Sequence, residues 1–362
     1  MPRIPAGEIE SPGTRAPRSP IGGPSPRGAA ELPPDQAGGT PAAGQLPAGQ
    51  CPAGGAGRRY QVCTGPTLAR QDLPSRPDPA GTGLARIGEE PLWASPACRE
   101  GLHTAGLDRF AALMQGREGT CLRALPDREN WRLVLSLAGG PRVVYLKKHH
   151  VGGAAARLRA WLGLPPRTSA GRDEAQNIRR LEAVGIPCVE LAAYGERLDR
   201  RGRLESLTIT PGLEGFTPLD DFLRQRFPVL NPAAATRKDK RLARLIESVG
   251  SLVRRFHEAG FNHRDLYCCH FFVREPSPGV FEIRLIDLQR VQQRARFRQR
   301  WLVKDLAQLA YSAPRDRVKC THKVAFLRAY FGTARLGAKE KRLIRQVLGK
   351  QQAMECKLGL IA

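Results

Sequence analysis

The chain has 362 residues, 41% of them hydrophobic, and a formal net charge of +24 at pH 7. That length allows one or two domains with a buried core, and no apolar run reaches the roughly 20 residues needed to span a bilayer, so a soluble or peripheral protein is expected. Nine cysteines without a CxxC pair point to a reducing compartment. The charge calls for an anionic partner, nucleic acid or lipid, or else reflects a plain compositional preference for arginine.

More than half of the prolines fall before Pro96, amid Gly, Ala and Arg and without apolar periodicity. Residues 1–95 are therefore expected to be a disordered extension. They lack the apolar stretch of a signal peptide, and their proline content argues against an amphipathic transit helix. Translation from a later start is the alternative.

The segment Gly116-Arg117-Glu118-Gly119-Thr120 is the candidate for a phosphate-covering turn, with Gly116 and Gly119 contacting nucleotide; an ordinary turn is the competing reading. Trp131 to Leu137 alternates as a strand, Ala138 to Pro141 turns, and Arg142 to Lys147 reads as a second strand ending on lysine. Ser169 can cap a helix with Ile178, Leu181 and Val184 on its apolar face and Glu174 in its first turns. Glu174, or less suitably Glu182, could pair with Lys147; a favourable acid near a helix N-terminus is the simpler role. Leu204 to Ile209 forms a further strand, broken by Thr210-Pro211-Gly212-Leu213, and Leu219 begins a helix. Thr236 to Ala259 is a long amphipathic helix with Leu242, Leu245, Ile246, Val249, Leu252, Val253 and Phe256 on one face.

That helix delivers Gly260-Phe261-Asn262-His263-Arg264-Asp265, followed by a hairpin of two strands and then Leu285-Ile286-Asp287. A His-Arg-Asp loop between a long helix and a hairpin, with an aspartate at the end of the second strand, is the order in which kinases bring a base and a metal ligand to one phosphate. Phosphoryl transfer needs mainly positioning and charge neutralisation. On this reading Asp265, with Arg264 beside it, is catalytic and orients the acceptor hydroxyl, while Lys147 engages the α- and β-phosphates of ATP. Glu174 holds Lys147, and Asp287 binds Mg2+. His270 stands where protein kinases carry the asparagine for a second metal, and imidazole is a poorer magnesium ligand. Leu288-Gln289 follows Asp287 in place of Phe-Gly.

The run His263-Arg264-Asp265-Leu266-Tyr267-Cys268-Cys269-His270-Phe271, with Ile286-Asp287-Leu288-Gln289-Arg290 and Trp301-Leu302-Val303-Lys304-Asp305, resembles the lipopolysaccharide kinase (Kdo/WaaP) family. The similarity covers about Leu107 to Tyr330 and includes Tyr145-Leu146-Lys147-Lys148. It implies an α+β, two-lobed protein-kinase-like fold: an N-lobe of antiparallel sheet and one helix over residues 96–210, and a mainly helical C-lobe over 211–362. It implies ATP and Mg2+ as cofactors and a sugar hydroxyl, heptose or Kdo type, of a lipopolysaccharide core or similar glycolipid as acceptor. His270 falls where the heptose-kinase branch also carries histidine, and Asp305 would brace the catalytic loop. The implied location is the cytoplasm, peripheral on the inner face of the membrane, where arginines from Arg290 to Arg300 and around Arg237 could meet an anionic surface at about 1 kcal/mol per residue.

Two other readings stay open: a kinase with a small-molecule or protein acceptor, and a kinase fold without turnover. A nucleic-acid-binding module is not expected, because aromatic content is 6% and the basic residues lack interleaved stacking side chains.

Overall fold

The sheet of the N-terminal lobe grows from short antiparallel hairpins. The computed structural model describes residues 78, 80–137, 139–151, 168–198, 203–229, 240–296 and 298–357. The strands are β1 (Ala85–Arg86), β2 (Leu92–Ala94), β3 (Thr120–Leu125), β4 (Arg128–Leu137), β5 (Gly140–Val151), β6 (Ala193–Leu198) and β7 (Leu204–Pro211), in the spatial order β1-β2-β6-β7-β5-β4-β3. Every neighbouring pair is antiparallel. Two helices, α1 (Pro96–Thr104) and α2 (Phe110–Gln115), join one apolar core with Leu133, Leu135, Val144 and Leu146. On the opposite face lies α3 (Ala170–Ala183).

Two expectations change here. The extension was taken to end at residue 95, yet Leu92, Trp93 and Ala94 are buried and β2 pairs with β6. A three-residue strand is too short for periodicity to reveal; its apolar content becomes visible only when the sheet covers it. Residues 1–77 lie outside the described residues. The sheet also carries three helices instead of one. Lys147, read as a strand end, sits inside β5, which runs on to Val151.

The C-terminal lobe is mainly helical: α4 (Leu219–Arg226), α5 (Lys240–Glu258), α6 (Gln299–Ser312), α7 (Cys320–Phe331) and α8 (Ala338–Lys357). The seven apolar residues read onto one face of α5 are all buried, each removing enough surface from water to contribute about 1.5–3 kcal/mol. A Cβ on Gly250 would meet the Phe326 carbonyl oxygen at 2.8 Å, so glycine lets α7 approach α5 closely. The expected start of this helix at Thr236, and Arg237, lie outside the described residues. Strand β8 (Thr217–Pro218) precedes α4; after α5 come β9 (Phe261–Asn262), the hairpin β10 (Phe271–Ser277) and β11 (Val280–Leu285), whose β10 also pairs with β8, and β12 (Gln292–Gln293), which pairs with β9. Among the described residues no helix is long and apolar enough to cross a membrane.

Candidate active site

Strand alternation sends Val144 and Leu146 into the core with α1 and α2 and turns Lys147 to the other face. There Lys147 lies opposite Asn130 on β4 and Thr208 on β7. Ser169 caps α3 by accepting from the Arg172 amide at 3.0 Å, which sets the helix so that Glu174, wholly buried, points at the sheet. Lys147 Nζ donates to Glu174 Oε1 at 2.6 Å and to Asp287 Oδ1 at 3.3 Å, and Thr208 Oγ1 donates to Glu174 Oε2 at 3.0 Å. Burial works against the charged ammonium, but the two carboxylates outweigh it and hold its pKa above the ordinary lysine value. Burial also opposes the Asp287 carboxylate, yet Lys147 and His270 bring its pKa below the usual range.

The catalytic loop is fixed through its backbone. Asp305, fully buried on α6, accepts from the His263 amide at 2.7 Å and the Arg264 amide at 2.8 Å. Among the described residues, two that are not glycine adopt left-handed backbone: Arg264 at φ 70° and Asp287 at φ 57°. Each costs on the order of 1–3 kcal/mol and marks the place where the fold forces side chains into position. The Asp265 carboxylate accepts from Arg290 Nη1 at 2.7 Å, with Lys304 Nζ 3.7 Å from its other oxygen. His270 donates from Nδ1 to the Asp265 carbonyl at 2.7 Å, which leaves Nε2 facing Asp287 Oδ2 at 3.7 Å. Burial opposes protonation of His270, but neighbouring Cys269, the Asp265 carbonyl and Asp287 raise its pKa overall. Its ring stacks on His263 at 5.6 Å between centroids, and burial lowers the pKa of His263.

A continuous chain of contacts thus joins Glu174, Lys147, Asp287, His270 and Asp265. Gly116 and Gly119 stand apart from it. Lys148, adjacent to Lys147 and pointing to the other face, is buried and donates to the Gly116 carbonyl at 2.6 Å. Gly116 therefore lies across the sheet from Lys147, as the C-cap of α2. Gly119 leads into β3 at φ 89°, where a Cβ would sit 2.3 Å from the Arg132 carbonyl oxygen. Both glycines pack closely against backbone carbonyls, Gly116 beside that of Ala112 and Gly119 beside that of Arg132. The turn at the Lys147 end of the β3–β4 hairpin is Pro126-Asp127, whose Asp127 carbonyl accepts from the His150 amide at 2.8 Å. The Arg264 guanidinium lies over the Trp301 ring at 4.7 Å.

Four participants escaped the sequence reading. Thr208 fixes Glu174, and Asn177 donates to the Leu288 and Val291 carbonyls at 2.8 and 3.0 Å, tying α3 to the segment after Asp287. Arg290 and Lys304 flank Asp265. Asn177 left a trace, a polar residue one turn beyond Glu174 on the buried face of α3. Lys304 left none beyond its place beside Asp305.

Among the described residues no group of three or more His, Cys, Asp or Glu converges as a metal cage. Magnesium commonly uses one or two carboxylates together with substrate phosphates, and Asp287 suits such a partial donor set; the His270 imidazole beside it is the poorer donor.

The model of the lipopolysaccharide kinase (Kdo/WaaP) family matches residues 123–330, 208 of the 362. The chain belongs to this family. It is accordingly a kinase, a phosphotransferase with an alcohol acceptor, and the family implies use of ATP. Among relatives, the lipopolysaccharide core heptose(I) kinase WaaP of Pseudomonas aeruginosa is 34% identical over 62% of this chain and 81% of its own length. The WaaP of Escherichia coli K12 is 31% identical over 63% of this chain and 83% of its own length. A solved structure of WaaP in complex with acyl carrier protein matches with a TM-score of 0.54 at 29% identity, covering 74% of this chain and 98% of that one. The fold is the two-lobed one of this family.

Proposed function

We propose that this protein transfers the γ-phosphate of ATP to a heptose hydroxyl in the inner core of lipopolysaccharide. The observation that carries the reading is the unbroken path from Glu174 through Lys147, Asp287 and His270 to the main-chain carbonyl of Asp265, whose carboxylate pairs with Arg290. Lys147 neutralises the α- and β-phosphates, and Glu174 keeps its ammonium charged and aimed. Asp265 accepts a hydrogen bond from the acceptor hydroxyl and takes its proton as the oxygen bonds to the γ-phosphorus and the bond from that phosphorus to the bridging oxygen breaks, releasing ADP. Arg264 shapes the loop that presents Asp265. Asp287, with Nε2 of His270 when that ring is unprotonated, would hold Mg2+, which when bound would supply charge neutralisation at the phosphates. The acceptor belongs to a membrane, so a peripheral position on the inner leaflet, aided by the basic surface, follows from the same reading. Acyl carrier protein, found with the solved relative, is a candidate partner.

The test is Mg2+-dependent transfer of labelled γ-phosphate from ATP to glycolipid extracted from the host. Label should enter a core sugar and fall by at least about 100-fold in Asp265→Ala, the lower range for loss of a general base, with ATP binding retained. Transfer that survives in Asp265→Ala refutes the assignment of the base; ATP binding without transfer to glycolipid refutes the acceptor.

A further inference from the structure

Beside the catalytic loop, between α3 and the segment after Asp287, lies a polar cavity of about 530 Å3. Arg180, Arg264, Arg290 and Arg294 line it, with Asp173 as the acidic side chain in the wall. One carboxylate, Asp173, stands in the wall against four guanidinium groups, of which Arg290 has a second partner in Asp265. Two of the lining cations, Arg264 and Arg294, lie with Arg300 and Lys304 around the adjacent Trp301 ring, at 4.7, 5.8, 4.6 and 6.0 Å from its centroid. Arg264 Nε and Trp301 Nε1 are buried and have no hydrogen-bond acceptor among the described residues. Arg294 is held by Gln292 Oε1 at 3.0 Å, a neutral partner. The like charges of Arg290 and Arg294 add to burial in disfavouring the charged form of Arg264. Converging guanidinium groups with donors to spare are the arrangement that recognises planar or tetrahedral oxyanions.

We propose that this cavity is an oxyanion subsite for the acceptor, holding a carboxylate or phosphate near the hydroxyl that Asp265 receives. Arg290 bridges the two places: Nη1 is bound to Asp265 Oδ2 at 2.7 Å, and its remaining N–H groups are available to the cavity. A guanidinium fork of fixed geometry then sets the spacing between acceptor hydroxyl and acidic group. The enzyme selects a sugar hydroxyl that lies next to an anionic substituent, and a neutral sugar lacks the second hold. The inference rests on Asp265 being the carboxylate that receives the acceptor.

The experiment compares the full-length enzyme with Arg294→Gln on three glycolipid preparations: intact, carboxyl-reduced and phosphatase-treated. One charge-assisted hydrogen bond corresponds to about a tenfold change in affinity or more. Arg294→Gln should raise KM for the intact acceptor about tenfold. On the preparation that has lost the recognised group, wild-type KM should already be high and the substitution should change it less than twofold. The preparation showing this identifies the oxyanion. An equal effect of Arg294→Gln on all three overturns the proposal. Should no glycolipid be phosphorylated, the acceptor reading fails, and a second measurement decides the subsite. Malonate and inorganic phosphate are titrated against tryptophan fluorescence, with Trp301→Phe as the blank. A saturable signal that needs Trp301 and weakens in Arg294→Gln supports the subsite; an absent signal, or one unchanged by the substitution, overturns it.

Discussion

Glu174→Gln keeps the shape of a wholly buried side chain and removes its charge. Lys147 then retains one carboxylate, Asp287 at 3.3 Å, against 2.6 Å for the partner it loses. Because Coulomb attraction falls as the inverse of distance, the pull of Asp287 is about four-fifths that of Glu174. Lys147 should therefore swing toward Asp287, the proposed metal ligand, and stay charged. Breaking a buried pair outright costs about 3–5 kcal/mol; with one partner kept, the expected loss of stability is about 1–3 kcal/mol. Catalysis should suffer to a similar extent, since the lysine leaves the phosphates and competes for the metal ligand. Loss of one charge-assisted hydrogen bond in the transition state corresponds to a fall of about 10- to 150-fold in kcat/KM for ATP. Steady-state kinetics over an ATP series, beside urea unfolding of the same protein, gives both numbers. A variant within twofold of wild type in kcat/KM would refute the reasoning.

Gly119→Ala, with its Cβ forced against the Arg132 carbonyl at a left-handed backbone angle, should destabilise by at least about 2 kcal/mol while the folded protein binds nucleotide normally. A tenfold loss of nucleotide affinity at unchanged stability would restore the glycine to the nucleotide site. Asp305→Ala strips the acceptor from two amides of the catalytic loop, and a loss of about 2–5 kcal/mol is expected, together with faster hydrogen exchange at the Arg264 amide. A change under about 1 kcal/mol in unfolding free energy would show that the loop holds itself. In an NMR titration His270 should take its proton above the ordinary imidazole value of 6.5 and His263 below it. The contribution of buried, neutral His263 to stability is present above pH 6.5 and is lost as pH falls toward its depressed folded value. That of His270 is present below pH 6.5 and is lost as pH rises through its raised value; the opposite order of protonation would contradict the packing described.

Much of the local structure was legible because its determinants are local. Ser169 announced the start of α3, the 3.6-residue spacing of Leu242 through Phe256 announced α5, and the two runs around Gly279 announced a hairpin. The catalytic-loop motif, its flanking elements and the family resemblance were readable for the same reason. Less legible was anything set by the choice of face. Gly116 and Gly119 read as a turn near a strand, and nothing in their neighbourhood tells which side of the sheet that turn occupies. Leu92 to Ala94 carried too few residues for a pattern, and Arg290 looked like one more basic residue in an arginine-rich run.

The sequence by itself determined the segments that carry a cap, a sustained period or turn residues, among them α3, α5 and the β10–β11 hairpin, and which residue types stand at the loop ends, since capping, periodicity and turn chemistry act within a few neighbours. Only the tertiary structure decided which of these groups meet. Lys147 reaches Glu174 across 27 residues and Asp287 across 140. It also put Arg290 on Asp265 and gathered a ring of cations around Trp301. Strand register and helix packing choose such partners, because an apolar stripe specifies that a face must be covered and leaves open what covers it.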